Sequence, residues 1–222
     1  MPVTSRFASV AALGLLVISS AAASSIFIPV ANFSFENLPA GGLLACGPGC
    51  SYSVGAIPSW TSTSTSGVFR PGTPATSFFH TLSAGITSAY EDTAGILSQT
   101  VASAVVVPGT TYTLQVDLGR RTDLPMTASA DLLVNGNHYA ATGTNPTAGN
   151  WSTFTATYVG LAGDAGLPIR IELLSSGRQA NFDDVRLSSV TPAGTVPEPT
   201  GATLIGLGLA GLLAFAKRKR AS

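Results

Sequence analysis

The chain has 222 residues, with eleven cationic and eleven acidic side chains, and is neutral overall. Charged residues make up 10% of it, against about 25% in ordinary soluble domains. Between residues 24 and 195 there is no lysine, and ten acidic residues face six arginines, which excludes the basic face that nucleic-acid binding needs.

At the N-terminus Arg6 precedes an apolar stretch from Phe7 to Ile18, and Ser19-Ser20-Ala21-Ala22-Ala23 follows. A cation, an apolar run and an Ala-x-Ala site are the three parts of a secretory signal peptide, so residues 1–23 are expected to be removed after Ala23. Residues 24–190 then suit one domain.

Ile26 to Phe35 alternates as a strand and ends on Glu36-Asn37. The next loop holds both cysteines, Cys46-Gly47-Pro48-Gly49-Cys50. Export favours a disulfide between Cys46 and Cys50, and two glycines around Pro48 permit so tight a ring. Metal binding by this pair would need two further ligands. Strands are predicted at Gly67 to Arg70, Ile86 to Tyr90 and Gly95 to Val101. The clearest alternation runs from Thr111 to Leu118, with Tyr112, Leu114, Val116 and Leu118 on one face. Ala128 to Val134 and Asn137 to Ala141 flank Asn135-Gly136, a two-residue hairpin signal. Ser152 to Val159, Ile169 to Leu173 and Ala180 to Leu187 complete the set. Many short strands with frequent turns and no long helical period predict an all-β fold, a two-sheet antiparallel β-sandwich of jelly-roll type.

The last strand contains a conflict. Counting by twos, Asp183 shares a face with Val185 and Leu187, whereas Phe182 shares one with Asp184. Phe182 and Val185 can both point inward only if a bulge sits at the aspartates. Otherwise a carboxylate is directed at the core, where an unpaired charge is very costly.

After a linker at residues 191–195 come Val196-Pro197-Glu198-Pro199, an apolar run over residues 200–216, and Lys217-Arg218-Lys219-Arg220. The prolines keep the first part extended. The apolar run is expected to be a transmembrane helix, although it falls short of the roughly 20 residues that span a bilayer comfortably. The four cations hold its end in the cytoplasm. This tripartite tail, residues 196–222, resembles the PEP-CTERM sorting signal. The resemblance implies recognition by an exosortase in a Gram-negative bacterium. The route runs through an inner-membrane intermediate to the cell surface or extracellular matrix. A plain single-pass anchor is the alternative.

Asn32-Phe33-Ser34-Phe35-Glu36-Asn37, Trp60, Leu97-Ser98-Gln99-Thr100-Val101 and Asn181-Phe182-Asp183-Asp184-Val185-Arg186-Leu187 together resemble the galactose-binding-like jelly rolls, a superfamily that includes carbohydrate-binding modules. This resemblance implies a structural calcium at Glu36 and Asp183, with Asp184 as a further candidate. A hydrogen-bonded structural aspartate stays open beside it. Sugar binding needs aromatic platforms, for which Trp151, Trp60 and Tyr90 are the candidates. Catalysis lacks a motif. His80 and His138 are far apart in sequence, and there is no His-Glu-x-x-His run or Gly-x-Ser-x-Gly elbow. The adjacent carboxyls of Asp183-Asp184 do not suit a two-carboxylate cleft. The chain is therefore expected to be a non-enzymatic structural or adhesive component of the surface, associated with exopolysaccharide and biofilm, or else a carbohydrate-binding module.

Overall fold

The computed structural model describes residues 23–71 and 78–192. The expected signal peptide, the sorting motif and the apolar segment with its basic tail lie outside the described residues. Among the described residues no helix is long and apolar enough to cross a membrane.

Ser24–Pro192 form one unit, an antiparallel β-sandwich of two sheets. The larger sheet runs in the order β11 (Asn150–Val159), β8 (Thr111–Arg120), β13 (Ala180–Val190), β6 (Ser88–Glu91), β5 (Ser66–Arg70), β3 (Cys50–Tyr52) and β2 (Leu44–Gly47). Beyond β6, the second half of β13 pairs with β1 (Ser25–Ile28). The smaller sheet runs β10 (Asn137–Ala140), β9 (Ala128–Val134), β12 (Pro168–Ser176), β7 (Ala94–Val105) and β4 (Thr61–Ser62).

Alternation places the core. Tyr112, Leu114, Val116 and Leu118 of β8 are buried with Phe154, Ala156 and Tyr158 of β11. They meet Leu132 of β9 and Ile169, Ile171 and Leu173 of β12 in one apolar cluster. Full burial of each such side chain contributes about 1.5–3 kcal/mol. Between β9 and β10, Asn135 and Gly136 have φ of 52° and 76°, the two positive values of a type I′ hairpin turn.

Of the two alternatives for the last strand, the chain takes the bulge. The register of β13 against β8 shifts between Asp183 and Arg186, and Asp184 takes a φ of 47°. Phe182, Val185 and Leu187 are all fully buried in the core as a result. Asp184 is the extra residue, and it pairs with Arg186 at 3.2 Å.

The first expected strand is shorter than its pattern. It ends at Ile28, because Pro29 lacks a donor and Asn32 and Phe35 adopt φ of 50° and 56°. The Asn32 side chain closes this turn by accepting from the Asn37 amide at 2.9 Å. Cys46 and Cys50 are joined by a disulfide across the β2–β3 hairpin.

Candidate active site on the outer face of the larger sheet

The alternation that buries one face of the larger sheet turns another set of residues outward, and cross-strand register sorts them into two rows. In the first row Trp151 lies opposite Gly119, Gly119 opposite Asn181, Asn181 opposite Tyr90, and Tyr90 opposite Gly67. In the second, Thr153 lies opposite Asp117, Asp117 opposite Asp183, and Ser88 opposite Phe69. Ala89 pairs with Phe182, so the next residues along, Ser88 and Asp183, are also neighbours on the outer side.

The two glycines are required by their neighbours. A Cβ on Gly119 would meet the Trp151 ring at 2.7 Å, and one on Gly67 would meet the Ser53 carbonyl oxygen at 2.0 Å and the Tyr90 hydroxyl at 2.7 Å. Both aromatic side chains therefore lie flat over the sheet. Phe69, Phe79, Tyr90 and Cys50 form a second apolar cluster here, with Tyr52, Phe78 and Trp151 packed against it. Phe79 stacks on Trp151 with ring centres 4.8 Å apart.

Residues 78–87 cross this face and are tied down by polar contacts. The Trp151 indole donates to the Thr81 carbonyl at 2.9 Å. The Ser83 hydroxyl donates to Asp117 Oδ2, and the Ala84 amide donates to Asp183 Oδ2 at 2.9 Å. Beyond them the Ile86 and Thr87 amides both donate to Glu36 Oε1 at 2.8 Å.

Asp183 is the chemically unusual group. It is fully buried, and desolvation pushes its carboxyl up to about 8, with the nearby charges of Asp184 and Asp117 adding to the rise. The amides of Ala84 and Asp184 oppose that rise by favouring the anion. Asp183 is therefore mostly a neutral acid at pH 7. Asp117, opposite it, accepts from the Thr153 hydroxyl at 2.6 Å. Tyr90 donates to the Ser53 carbonyl at 2.6 Å and is pushed up to about 12, chiefly by burial. Its hydroxyl is thus neutral and engaged, so Tyr90 offers the site its ring. Glu91 is buried and raised too, but its oxygens accept from the Ser62 hydroxyl away from the aromatic cluster.

The structure brings together some of the sequence-derived candidates. Tyr90, Trp151 and Asp183 share this face. Trp60 does not: it is buried in the sandwich core, 5.4 Å from the Phe35 ring, with its indole donating to the Asn32 carbonyl. Tyr90 is buried in the cluster with Phe69 and Phe79 instead of standing on an open platform. Glu36 and Asp183 meet the same segment, through Ile86-Thr87 and Ala84, but both Asp183 oxygens already accept backbone amides. Among the described residues no group of three or more His, Cys, Asp or Glu could hold a metal ion. His138 pairs with Asp131 at 3.0 Å on the other sheet, and His80 is exposed. Asp117, Ser88, Phe69 and Phe79 carry no motif that marks them, and Asn181 stands in the motif of the last strand without a role assigned to it. The usable signal was Asp117, a carboxylate in the middle of the clearest alternating strand.

Buried aromatic rings and a buried carboxyl of raised proton affinity share this face, and the comparisons with known proteins give the chain a family. Residues 27–188 match the HpiC1-like family, described as HpiC1 cyclase, and the chain belongs to that family. An apo-form cyclase from Fischerella sp. is 23% identical, with a TM-score of 0.63, over 78% of this chain and 99% of its own. A cyclase from Fischerella sp. TAU in complex with 4-(1H-indol-3-yl)butan-2-one is 23% identical, TM-score 0.61, over 77% of this chain and 100% of its own. The Stig cyclase Fisc from the same organism, in complex with (3Z)-3-(1-methyl-2-pyrrolidinylidene)-3H-indole, is 25% identical, TM-score 0.62, with the same coverage. No curated protein sequence matches the chain.

Family membership corrects the expectation of a non-enzymatic structural, adhesive or carbohydrate-binding protein: the matched family is one of cyclases. The sandwich agrees with the pattern of the sequence, whereas an enzyme of this family carries no multi-residue motif that the sequence displays. The match ends at residue 188, ahead of the tail, whose sorting role rests on its resemblance alone.

Proposed function

We propose that this chain is an acid-dependent cyclase acting on a C3-substituted indole, with Asp183 as the proton donor. The observation that carries this is the fully buried Asp183 carboxyl, with its raised proton affinity, on a face lined by Phe69, Phe79, Tyr90 and Trp151. The indole substrate class is taken from the ligands of the two Fischerella complexes.

The chemistry follows from the groups present. Asp183 delivers its proton to a carbon–carbon double bond on the indole substituent, leaving a cationic carbon. The π electron pair of the indole C2–C3 bond attacks that carbon and closes a ring. A ring-carbon proton is then lost to the Asp183 carboxylate, which restores the acid. The product is an isomer of the substrate, so no oxidant or reductant is consumed. Aromatic faces stabilise the passing cation by about 0.5–2 kcal/mol each, and a covered site keeps water from trapping it.

Residues 78–87 must shift for a substrate to reach Asp183. That movement has an electrostatic effect. Withdrawing the Ala84 amide removes a hydrogen bond that favours the anion, and an apolar substrate that takes the segment's place keeps the carboxyl desolvated, so the acid holds its proton as the substrate binds.

The test is incubation of the purified protein with indoles carrying an unsaturated C3 substituent, followed by mass spectrometry and NMR of the products. A cyclised isomer of unchanged mass, lost in Asp183→Asn, is expected. Unchanged turnover in Asp183→Asn would overturn the assignment.

Location is a separate proposal. The signal-like residues 1–23 and the PEP-CTERM-like tail support export and handling by an exosortase at the inner membrane, and the Cys46–Cys50 disulfide suits an oxidising compartment. Fractionation of cells expressing the full chain and a chain truncated after residue 195 tests this. Equal cytoplasmic retention of both would refute it.

A further inference from the structure

Asn181 is 1% exposed, yet neither its Oδ1 nor its Nδ2 has a hydrogen-bond partner. Ser88 Oγ, fully buried on the neighbouring strand, is also without one. Buried polar groups are almost always paired, and leaving one unpaired costs about 1–3 kcal/mol. Three such atoms on one patch of the sheet, beside Asp183 and beneath residues 78–87, are groups poised for a ligand.

The surrounding groups restrict what that ligand is. The Tyr90 hydroxyl and the Trp151 indole N–H are already engaged, with Ser53 and Thr81, so both present only ring surface. Asn181 lies between them in the first row, separated from Trp151 by Gly119 alone. With strands about 4.8 Å apart, the row from Trp151 to Tyr90 spans about 14 Å, the length over which a fused bicyclic ring lies once residues 78–87 move aside. A neutral carboxamide flanked by two ring faces suits a flat heteroaromatic with a single polar ring atom.

We infer that Asn181 is the residue that orients the substrate, its Oδ1 accepting the indole ring N–H, while Ser88 Oγ and Asn181 Nδ2 donate to a polar acceptor on the C3 substituent. This rests on the indole reading above and assigns the atoms that recognise it. Asn181 acts by position: it holds the ring so that the substituent lies over Asp183, two residues along the same strand face.

Binding by titration calorimetry of 4-(1H-indol-3-yl)butan-2-one and of its N-methyl analogue, which lacks the donor, tests the inference on the full chain. Wild type is expected to bind the N–H compound about tenfold more tightly, the size of one neutral hydrogen bond. Asn181→Leu is expected to bind both equally, and Ser88→Ala to weaken both alike. Asn181→Ala repeats the comparison if the leucine variant does not fold. Equal wild-type affinity for the two compounds, or a preference that survives in either Asn181 variant, would overturn the role of Asn181 and leave the indole reading standing. No binding of either compound to wild type would remove that reading and this inference together.

Discussion

Asp117 and Asp183 stand directly opposite each other on β8 and β13, on the outer face of the larger sheet. They are held by different means: Asp117 by the hydroxyls of Ser83 and Thr153, Asp183 by the backbone amides of Ala84 and Asp184. The nearby charge of Asp117 adds to the rise that burial causes at Asp183. The fully buried member keeps its proton, which makes Asp183 the acid. Replacing it with asparagine preserves size and removes the proton. Asp183→Asn is expected to lower turnover by about 10²-fold or more, the usual range for a general acid, with indole binding retained. Steady-state rates and calorimetry on the same preparation check the split.

The same group makes stability depend on pH in a defined direction. In the unfolded chain an aspartate ionises near pH 4, whereas folded Asp183 holds its proton to about 8. Between these values the native state binds the extra proton, so stability falls as pH rises from about 4 to about 8 and then levels off for this group. Asp183→Asn removes that slope. The variant's advantage over wild type should be small near pH 4 and grow steadily to its full size at pH 9, as read by thermal unfolding across the range. Turnover should decline above pH 8 in wild type as the acid ionises.

The sandwich was legible because its strands declare themselves by period. The β8 alternation, the Asn135-Gly136 hairpin and the bulge needed to reconcile Phe182 with Val185 all follow from local rules. The first strand was overread because Ile26 to Phe35 keeps an apolar alternation, while positive φ at Asn32 and Phe35 is not visible in it. The site was illegible for another reason. Its first row draws Trp151, Gly119, Asn181, Tyr90 and Gly67 from five strands, and only cross-strand register places them side by side. Asp183 keeps its proton because it is buried, a tertiary property without a motif. Read along the chain, Asp183-Asp184 looked like a metal or solvated pair.

Gly119 tests whether the ring platform matters. A methyl group there would meet three carbons of the Trp151 ring at 2.7–2.9 Å, and that ring is further constrained by Phe79 and by its bond to Thr81. Gly119→Ala is expected to cost about 1–3 kcal/mol of stability through overpacking and to displace Trp151. Tryptophan emission should shift to the red, since Trp60 is buried elsewhere in the core and unaffected. Indole binding should weaken with it. An unchanged spectrum and affinity would show that Trp151 is not part of the platform.

The last prediction concerns how residues 78–87 are held. Glu36 Oε1 receives the amides of Ile86 and Thr87, and the Thr87 hydroxyl donates to the Phe35 carbonyl at 2.9 Å. Glu36 thus pins the end of the segment whose Ala84 amide contacts Asp183. Its side chain also crowds Gly85, whose φ of 56° and lack of Cβ let the backbone pass it. Glu36→Ala removes both acceptor bonds without touching the core or the aromatic rows. Amide hydrogen exchange at residues 84–87 should speed up markedly in the variant, while exchange in β8 and β12 stays as in wild type. If opening of this segment limits substrate access, ligand association should also accelerate, which stopped-flow Trp151 fluorescence would read. Faster exchange with an unchanged association rate would mean that the substrate reaches Asp183 by another path. Unchanged exchange would mean that the contacts of Thr81, Ser83 and Ala84 hold the segment without Glu36.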